Sequence, residues 1–182
     1  MNRKHFLRQS FLTLPVLSQF SLSHAPSNNQ DPFVVKAGQS RFGDNIKFMG
    51  LHPNDLKISA KDSGGQLSVF DYTGHAKIGP PMHIHFEQDE TFMVIAGKYR
   101  FVVGEQVHEL SPGDTIFLPR GIPHTWIQLT DFGRMIYFLQ PAGKMEEFFL
   151  KMNQFKEPPS QAELDRIHIE HHMKLVGPPL QL

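Results

Sequence analysis

From Phe33 to Gln140 the chain runs in short stretches of alternating apolar and polar residues, the period-two pattern of half-buried strands. Phe33-Val34-Val35-Lys36 closes at Ala37-Gly38, and Leu56-Lys57-Ile58-Ser59 alternates before the turn residues Ser63-Gly64-Gly65. Further strands are predicted over Gln66 to Tyr72, Thr91 to Ala96, Tyr99 to Val103, Val107 to Leu110, Thr115 to Leu118, Thr125 to Leu129 and Arg134 to Leu139. So many short strands predict an all-β sandwich or barrel. After Lys144 the period changes. Met145, Phe148, Phe149 and Met152 stand at helical spacing, which predicts a helix over 144–153 with one face on the barrel. Glu157-Pro158-Pro159 stops it. Ser160, followed three residues on by Glu163, is a capping-box signal for a second helix through about Lys174. Pro26 to Pro32 is a polar linker.

Composition narrows the partners. The 182 residues suit one domain with a hydrophobic core and short extensions, and no internal repeat points to a second barrel. Eighteen basic residues balance eighteen acidic ones, with no cationic stripe for nucleic acid. Cysteine is absent, which excludes disulfides, thiol nucleophiles and thiolate metal sites. Residues 1–25 read as a twin-arginine-like signal peptide. Asn2-Arg3-Lys4-His5-Phe6-Leu7-Arg8 has Lys4 in place of the second arginine, an apolar stretch runs from Phe11 to Leu22, and Ser23-His24-Ala25 supplies small residues for cleavage. That stretch is too short and polar to span a membrane. Cleavage after Ala25 removes Arg3, Lys4 and Arg8 and leaves 15 basic against 18 acidic residues, a net charge of −3. The expected location is the bacterial periplasm or exterior, with the cytoplasm as the alternative.

Four residues carry the chemistry: His83, His85, Glu90 and His124. His83 and His85 are one residue apart, so on a strand both side chains share a face. Glu90 opens a second extended run. His124 follows the turn-rich Pro119-Arg120-Gly121-Ile122-Pro123 and starts another strand. Nitrogen and oxygen ligands from three strands can converge on one first-row divalent cation and leave coordination positions open, as a catalytic site requires.

The spacing of these residues resembles the cupin motifs. His83-Ile84-His85, four residues, Glu90, six residues, Gly97 is similar to the first motif; Gly113, five residues, Pro119, one residue, Gly121, two residues, His124 is similar to the second. Together they resemble the quercetin-dioxygenase-like cupins. Lys77 stands where the first motif usually opens with glycine, the nearest glycines being Gly74 and Gly79, and Gln128 stands where the second usually closes with asparagine. Neither departure removes a ligand. The resemblance implies a double-stranded β-helix, the jelly-roll cupin barrel, over 33–143, with C-terminal helices and a Gly-Pro-Pro-Leu tail common in this subgroup over 144–182. It implies one divalent transition metal (iron, manganese, nickel, copper or zinc) on His83, His85, Glu90 and His124, with Glu90 as ligand, as catalytic base or as both. The implied function is a dioxygenase-like oxidoreductase acting on a small aromatic or enolisable compound. The alternatives are another cupin metalloenzyme, a decarboxylase or isomerase, and a non-catalytic small-molecule-binding cupin. A homodimer is compatible with all three.

Strand alternation proposes a pocket. If Glu90 points inward, so do Phe92 and Val94; if His124 does, so do Trp126 and Gln128. Met82, Phe86 and Phe117 are near enough in sequence to line the mouth, and Arg120 is the basic candidate for an anionic substrate. On the second predicted helix His168 and His172 are four apart, a zinc-compatible spacing. With no carboxylate partner placed, they and His171 read as a solvated helix face. His52, His75 and His108 read as loop or surface residues.

Overall fold

The computed structural model describes residues 31–182. The signal-peptide reading of residues 1–25 and the linker as far as residue 30 lie outside the described residues. The strands are β1 (Lys47–Phe48), β2 (His52–Ile58), β3 (Ser68–Gly74), β4 (Pro81–His85), β5 (Asp89–Ala96), β6 (Tyr99–Val103), β7 (Gln106–Leu110), β8 (Thr115–Leu118), β9 (His124–Gln128), β10 (Gly133–Gln140) and β11 (Met173–Pro179). A one-turn helix α1 (Ala60–Ser63) follows β2, and α2 (Met145–Met152) and α3 (Gln161–Glu170) precede β11. The strands form two antiparallel sheets, in the orders β1-β2-β3-β10-β5-β8 and β11-β4-β9-β6-β7.

The alternation read from the sequence sets the faces. On β5, Glu90, Phe92 and Val94 turn inward while Met93 and Ile95 are exposed; on β10, Met135, Tyr137 and Leu139 turn inward. These residues meet Phe101 and Tyr99 of β6 and Trp126 of β9 in one aromatic core. Phe92 stacks on Tyr137 with ring centroids 4.9 Å apart, and Phe70 stacks on the same tyrosine at 5.2 Å. α2 buries Met145 and Phe149, as its spacing predicted, and Phe149 meets Phe70 edge-on. Glu146 of α2 accepts hydrogen bonds from the hydroxyls of Ser59 and Ser68 and from the backbone N–H of Ala60, which ties the helix to the sheet.

Three elements differ from the sequence reading. Phe33 to Lys36 is not a strand. Phe33 and Val34 are exposed, no neighbouring strand pairs with them, and Phe33 is covered instead by the Arg41 guanidinium at 3.8 Å. β2 begins at His52 rather than Leu56. Its first residues, Pro53, Asn54 and Asp55, look like turn formers, yet Pro53 is tolerated because only the two-residue β1 pairs there. The second helix keeps its predicted start, with the Ser160 hydroxyl accepting from the Glu163 N–H, but it ends at Glu170 and not at Lys174. His172, at φ +60°, turns the chain back, and Met173 to Pro179 becomes β11, paired with β4. The tail is thus part of the barrel wall. Among the described residues no helix is long and apolar enough to cross a membrane.

Candidate metal centre

The three strands that carry the four singled-out residues meet at one end of the barrel. β4 and β9 are neighbours in one sheet, with His83 directly opposite His124; β5 brings Glu90 from the other sheet. One ligand atom from each of His83, His85, Glu90 and His124 lies within 4.8 Å of the others, so the cluster could hold a metal ion. The His85 and His124 rings are nearly parallel, 5.5 Å apart, and the His83 ring is 4.5 Å from that of His124. His85, Glu90 and His124 are buried, while His83 is half-buried and marks the accessible side.

Each imidazole is oriented through its Nδ1. His83 Nδ1 faces the Pro81 carbonyl at 2.8 Å, His124 Nδ1 faces the Ile122 carbonyl at 3.0 Å, and His85 Nδ1 faces the side-chain oxygen of the buried Gln88 at 3.4 Å. An oxygen acceptor there requires the proton on Nδ1, which leaves each Nε2 lone pair free for a cation. These lone pairs point to Glu90. Its Oε2 is 3.1 Å from His124 Nε2 and its Oε1 is 3.7 Å from His85 Nε2, and His85 Nε2 has no hydrogen-bond partner among the described residues. Acceptors on both sides of His124 are satisfied together only by positive charge at Nε2, from a proton or from a metal ion. The donor set therefore fits a divalent ion.

The electrostatics agree. Burial, with His124 and His85 close by, pulls the His83 imidazole down to about 3, and burial likewise lowers His85. Burial pushes the Glu90 carboxyl up, but the adjoining His85, the hydrogen bond from His124 and the nearby His83 outweigh it and hold it at about 2. Neutral His83 and His85 beside an ionised Glu90 are in the protonation state that metal binding needs. The same shifts predict an acid-sensitive fold. His52 and His168 are also lowered by burial. All four histidines bind fewer protons folded than unfolded, so their contribution is intact above the usual 6.5 and declines as pH falls below it, for His83 down to about 3. Chelated protein should show a steadily falling Tm from about pH 7 to about pH 5; a flat Tm would contradict these buried neutral states.

The proposed pocket residues divide. Phe92 and Trp126 lie on the same inner faces as Glu90 and His124, one layer deeper, where they are closed into the aromatic core. Gln128 is also buried but belongs to the opposite end of the barrel, four residues along β9 from His124, and its amide donates to the carbonyls of Thr130 and Gly74. Phe117 is 59% exposed on the outer face of β8, beside Thr91, because its neighbour Leu118 takes the inward position opposite Glu90. Met82 alternates away from His83 and packs under Gly177 of β11. Phe86 is exposed. Arg120 is engaged by Asp89 through two side-chain bonds of 3.0 and 2.7 Å and is not brought to the ligands.

The remaining histidines also divide. His168 and His171 are not on a solvated face: both are buried, with Nδ1 at 2.6 and 2.7 Å from the carbonyls four residues back and rings edge-on to Phe148. His172 pairs with Glu87 at 2.6 Å. His75 is exposed as expected, whereas His52 is buried inside the barrel, where the turn-like residues after it hid its strand. Gln88 was also missed; its spacing three residues after His85 carries no signal without the structure.

Comparison with known proteins agrees with this architecture. Residues 69–139, which span β3 to β10, match a family model described as a cupin domain. No curated protein matches the chain. An RmlC-like cupin from Shewanella frigidimarina is similar at 17% identity and a TM-score of 0.50, covering 62% of this chain and 96% of that one. KdgF from Halomonas sp. is similar at 18% identity and a TM-score of 0.45, over 50% of this chain and 80% of its own. An uncharacterized conserved protein with a double-stranded beta-helix domain from Klebsiella pneumoniae is similar at 15% identity and a TM-score of 0.44, over 60% and 83%.

Proposed function

We propose, from the match of residues 69–139 to a cupin-domain family model, that this chain is a metal-dependent oxidoreductase of dioxygenase type, acting on a small aromatic or enolisable compound. The observation that carries the reading is the tautomer-fixed cluster of three imidazole Nε2 atoms around the Glu90 carboxylate. His83, His85, Glu90 and His124 would hold one iron, manganese, nickel, copper or zinc ion. When bound, such an ion supplies Lewis-acid chemistry and, for a redox-active metal, electron transfer to dioxygen.

The protein's own groups do the rest. Glu90 brings the negative charge, and it is the group at the centre able to take a proton from a substrate hydroxyl. The Phe92, Trp126 and Tyr137 layer below excludes water from the barrel side and favours a planar, apolar substrate body. His83, the half-buried ligand, lies on the side by which a substrate arrives. The twin-arginine-like leader supports export of the folded, metal-loaded protein to the periplasm or exterior; an unprocessed mass in the cytoplasmic fraction would count against export.

The test is metal content by mass spectrometry on protein purified without an affinity tag for metals, followed by oxygen uptake with an enolisable diketone such as acetylacetone. About one metal ion per chain and metal-dependent oxygen uptake are expected. Metal with oxygen-independent turnover would transfer the assignment to a decarboxylase or isomerase. Protein that neither holds nor takes up metal would overturn it in favour of a binding cupin.

A further inference from the structure

The three imidazoles of the cluster are not held alike. His83 and His124 turn Nδ1 to the backbone carbonyls of Pro81 and Ile122, which no substitution removes. His85 depends on a side chain. Gln88 lies three residues on, in the connection between β4 and β5, and is fully buried with its Oε1 3.4 Å from His85 Nδ1. The other end of the same amide is unpaired: Gln88 Nε2 is buried with no hydrogen-bond partner among the described residues, and so is His85 Nε2. A buried orphan donor costs stability, so its retention calls for a reason.

Gly143 supplies the space. It stands just before α2 at φ +56°, and a Cβ there would fall 1.6 Å from Gln88 Nε2, 2.6 Å from its Cδ and 3.0 Å from its Cγ. A side chain at 143 would therefore drive the amide off His85. The direction of the amide matters because a neutral imidazole carries one proton. Glu90 Oε1 lies 3.7 Å from His85 Nε2 and attracts that proton to the side a cation must occupy. An oxygen at Nδ1 draws it the other way. Turned end for end, the amide would present its NH2 to Nδ1 and fix the proton on Nε2.

We infer that Gln88 is a positioning residue of the metal centre: its side-chain oxygen keeps the His85 proton on Nδ1 and the Nε2 lone pair open to the ion, with Gly143 leaving the room the amide needs. The unpaired Nε2 of Gln88 follows from that orientation. The inference rests on the cluster being a metal site. It goes beyond that reading by tying the ion to the segment that leads into α2, a helix held to the sheet through Glu146.

The experiment compares wild type with Gln88→Met, Gln88→Glu and Gly143→Ala. Gly38→Ala, at φ +70° with open space around it, is the control for a side chain on left-handed backbone. Zn(II) affinity is measured by competition with a chromophoric chelator. On chelated protein, Tm is measured by thermal melt and the His85 tautomer by long-range proton–nitrogen NMR, with His85→Gln to assign the signals. Gln88→Met removes an orphan donor and keeps the bulk, so its chelated Tm should equal or exceed that of wild type. Its Zn(II) affinity should fall about 10–100-fold, with the His85 proton moving from Nδ1 to Nε2. Gln88→Glu keeps an acceptor and should recover most of that loss. Gly143→Ala should weaken Zn(II) binding as Gln88→Met does, whereas Gly38→Ala should not. Equal Zn(II) affinity in wild type and Gln88→Met overturns the proposal, as does a proton on His85 Nε2 in chelated wild type. Loss of Tm and affinity together in Gln88→Met, with the tautomer unmoved, also overturns it, because Gln88 would then only fill space. Wild type that takes up no metal would sink the metalloenzyme reading; the tautomer shift is read without metal and still decides the part played by Gln88.

Discussion

His124→Ala is expected to purify with almost no bound metal and to bind added metal more than about a hundredfold more weakly than wild type, since losing a ligand should exceed the 10–100-fold cost of losing an outer partner. The reason is positional. His124 contacts Glu90 at 3.1 Å and faces His83 across the β4–β9 pair, so it is the imidazole that joins the two halves of the cluster. Its neighbours on β9 cannot take its place. Thr125 points away and donates to the Pro80 carbonyl, and Trp126 is committed to the core. The substitution should not unfold the barrel, because the ring fills no part of the hydrophobic cluster. Metal analysis together with a thermal melt against chelated wild type separates the two effects. Unchanged metal content in a folded variant would refute the site.

The second large effect is expected from Gly79→Ala. A Cβ at position 79 would fall 1.7 Å from the carbonyl oxygen of Trp126 and 2.7 Å from its carbon, with the Ile127 Cα at 3.2 Å. These are backbone atoms of β9, held by Gln128 N–H bonding to the Ile78 carbonyl on one side and by β6 on the other. They cannot swing aside as a side chain would, so β9 must shift bodily and carry His124 with it. Overpacking of this kind is expected to cost about 3 kcal/mol, which for a chain of this size lowers Tm by about 10 °C. Metal affinity should fall in parallel. A melt of the chelated variant within about 2 °C of wild type would show that the segment relaxes freely. Gly79 also answers the departure in the first motif: although Lys77 occupies the usual glycine position, a close approach of backbone to backbone is made two residues later.

How much of this was legible in sequence depended on whether neighbours in the chain decided the outcome. β5 to β10 alternate strongly and end at turn residues, so their limits could be read to within about two residues. The ligand set could be read because His83 and His85 share a face by parity alone. The same parity excludes Met82, one residue from His83. Phe117 was ambiguous because Ile116, Phe117 and Leu118 are all apolar; the choice of face is made by pairing with Glu90 and Phe92 across β5. β11 could not be read. Gly177, Pro178 and Pro179 are poor strand formers, and the segment is extended only because β4 offers it an edge, with irregular register at Gly177 and Pro179. His52 was lost for a related reason, since Pro53 and Asn54 imitate a turn until the sheet is known.

That late pairing has a consequence for assembly. β4, which bears His83 and His85, is flanked on one side by β9 and on the other by β11, where Met173 lies opposite His85, Leu175 opposite His83, and the Phe86 N–H bonds to the His172 carbonyl. Met173 follows Pro81 by 92 positions (173 − 81), so as the chain leaves the ribosome the histidine strand has one open side until nearly a hundred further residues have emerged. The ion's pocket is thus finished by a strand translated long after its ligands. Occupancy by metal would then serve as a check on completeness, since a nascent chain cut short before Met173 would present the right ligands on an unbacked edge.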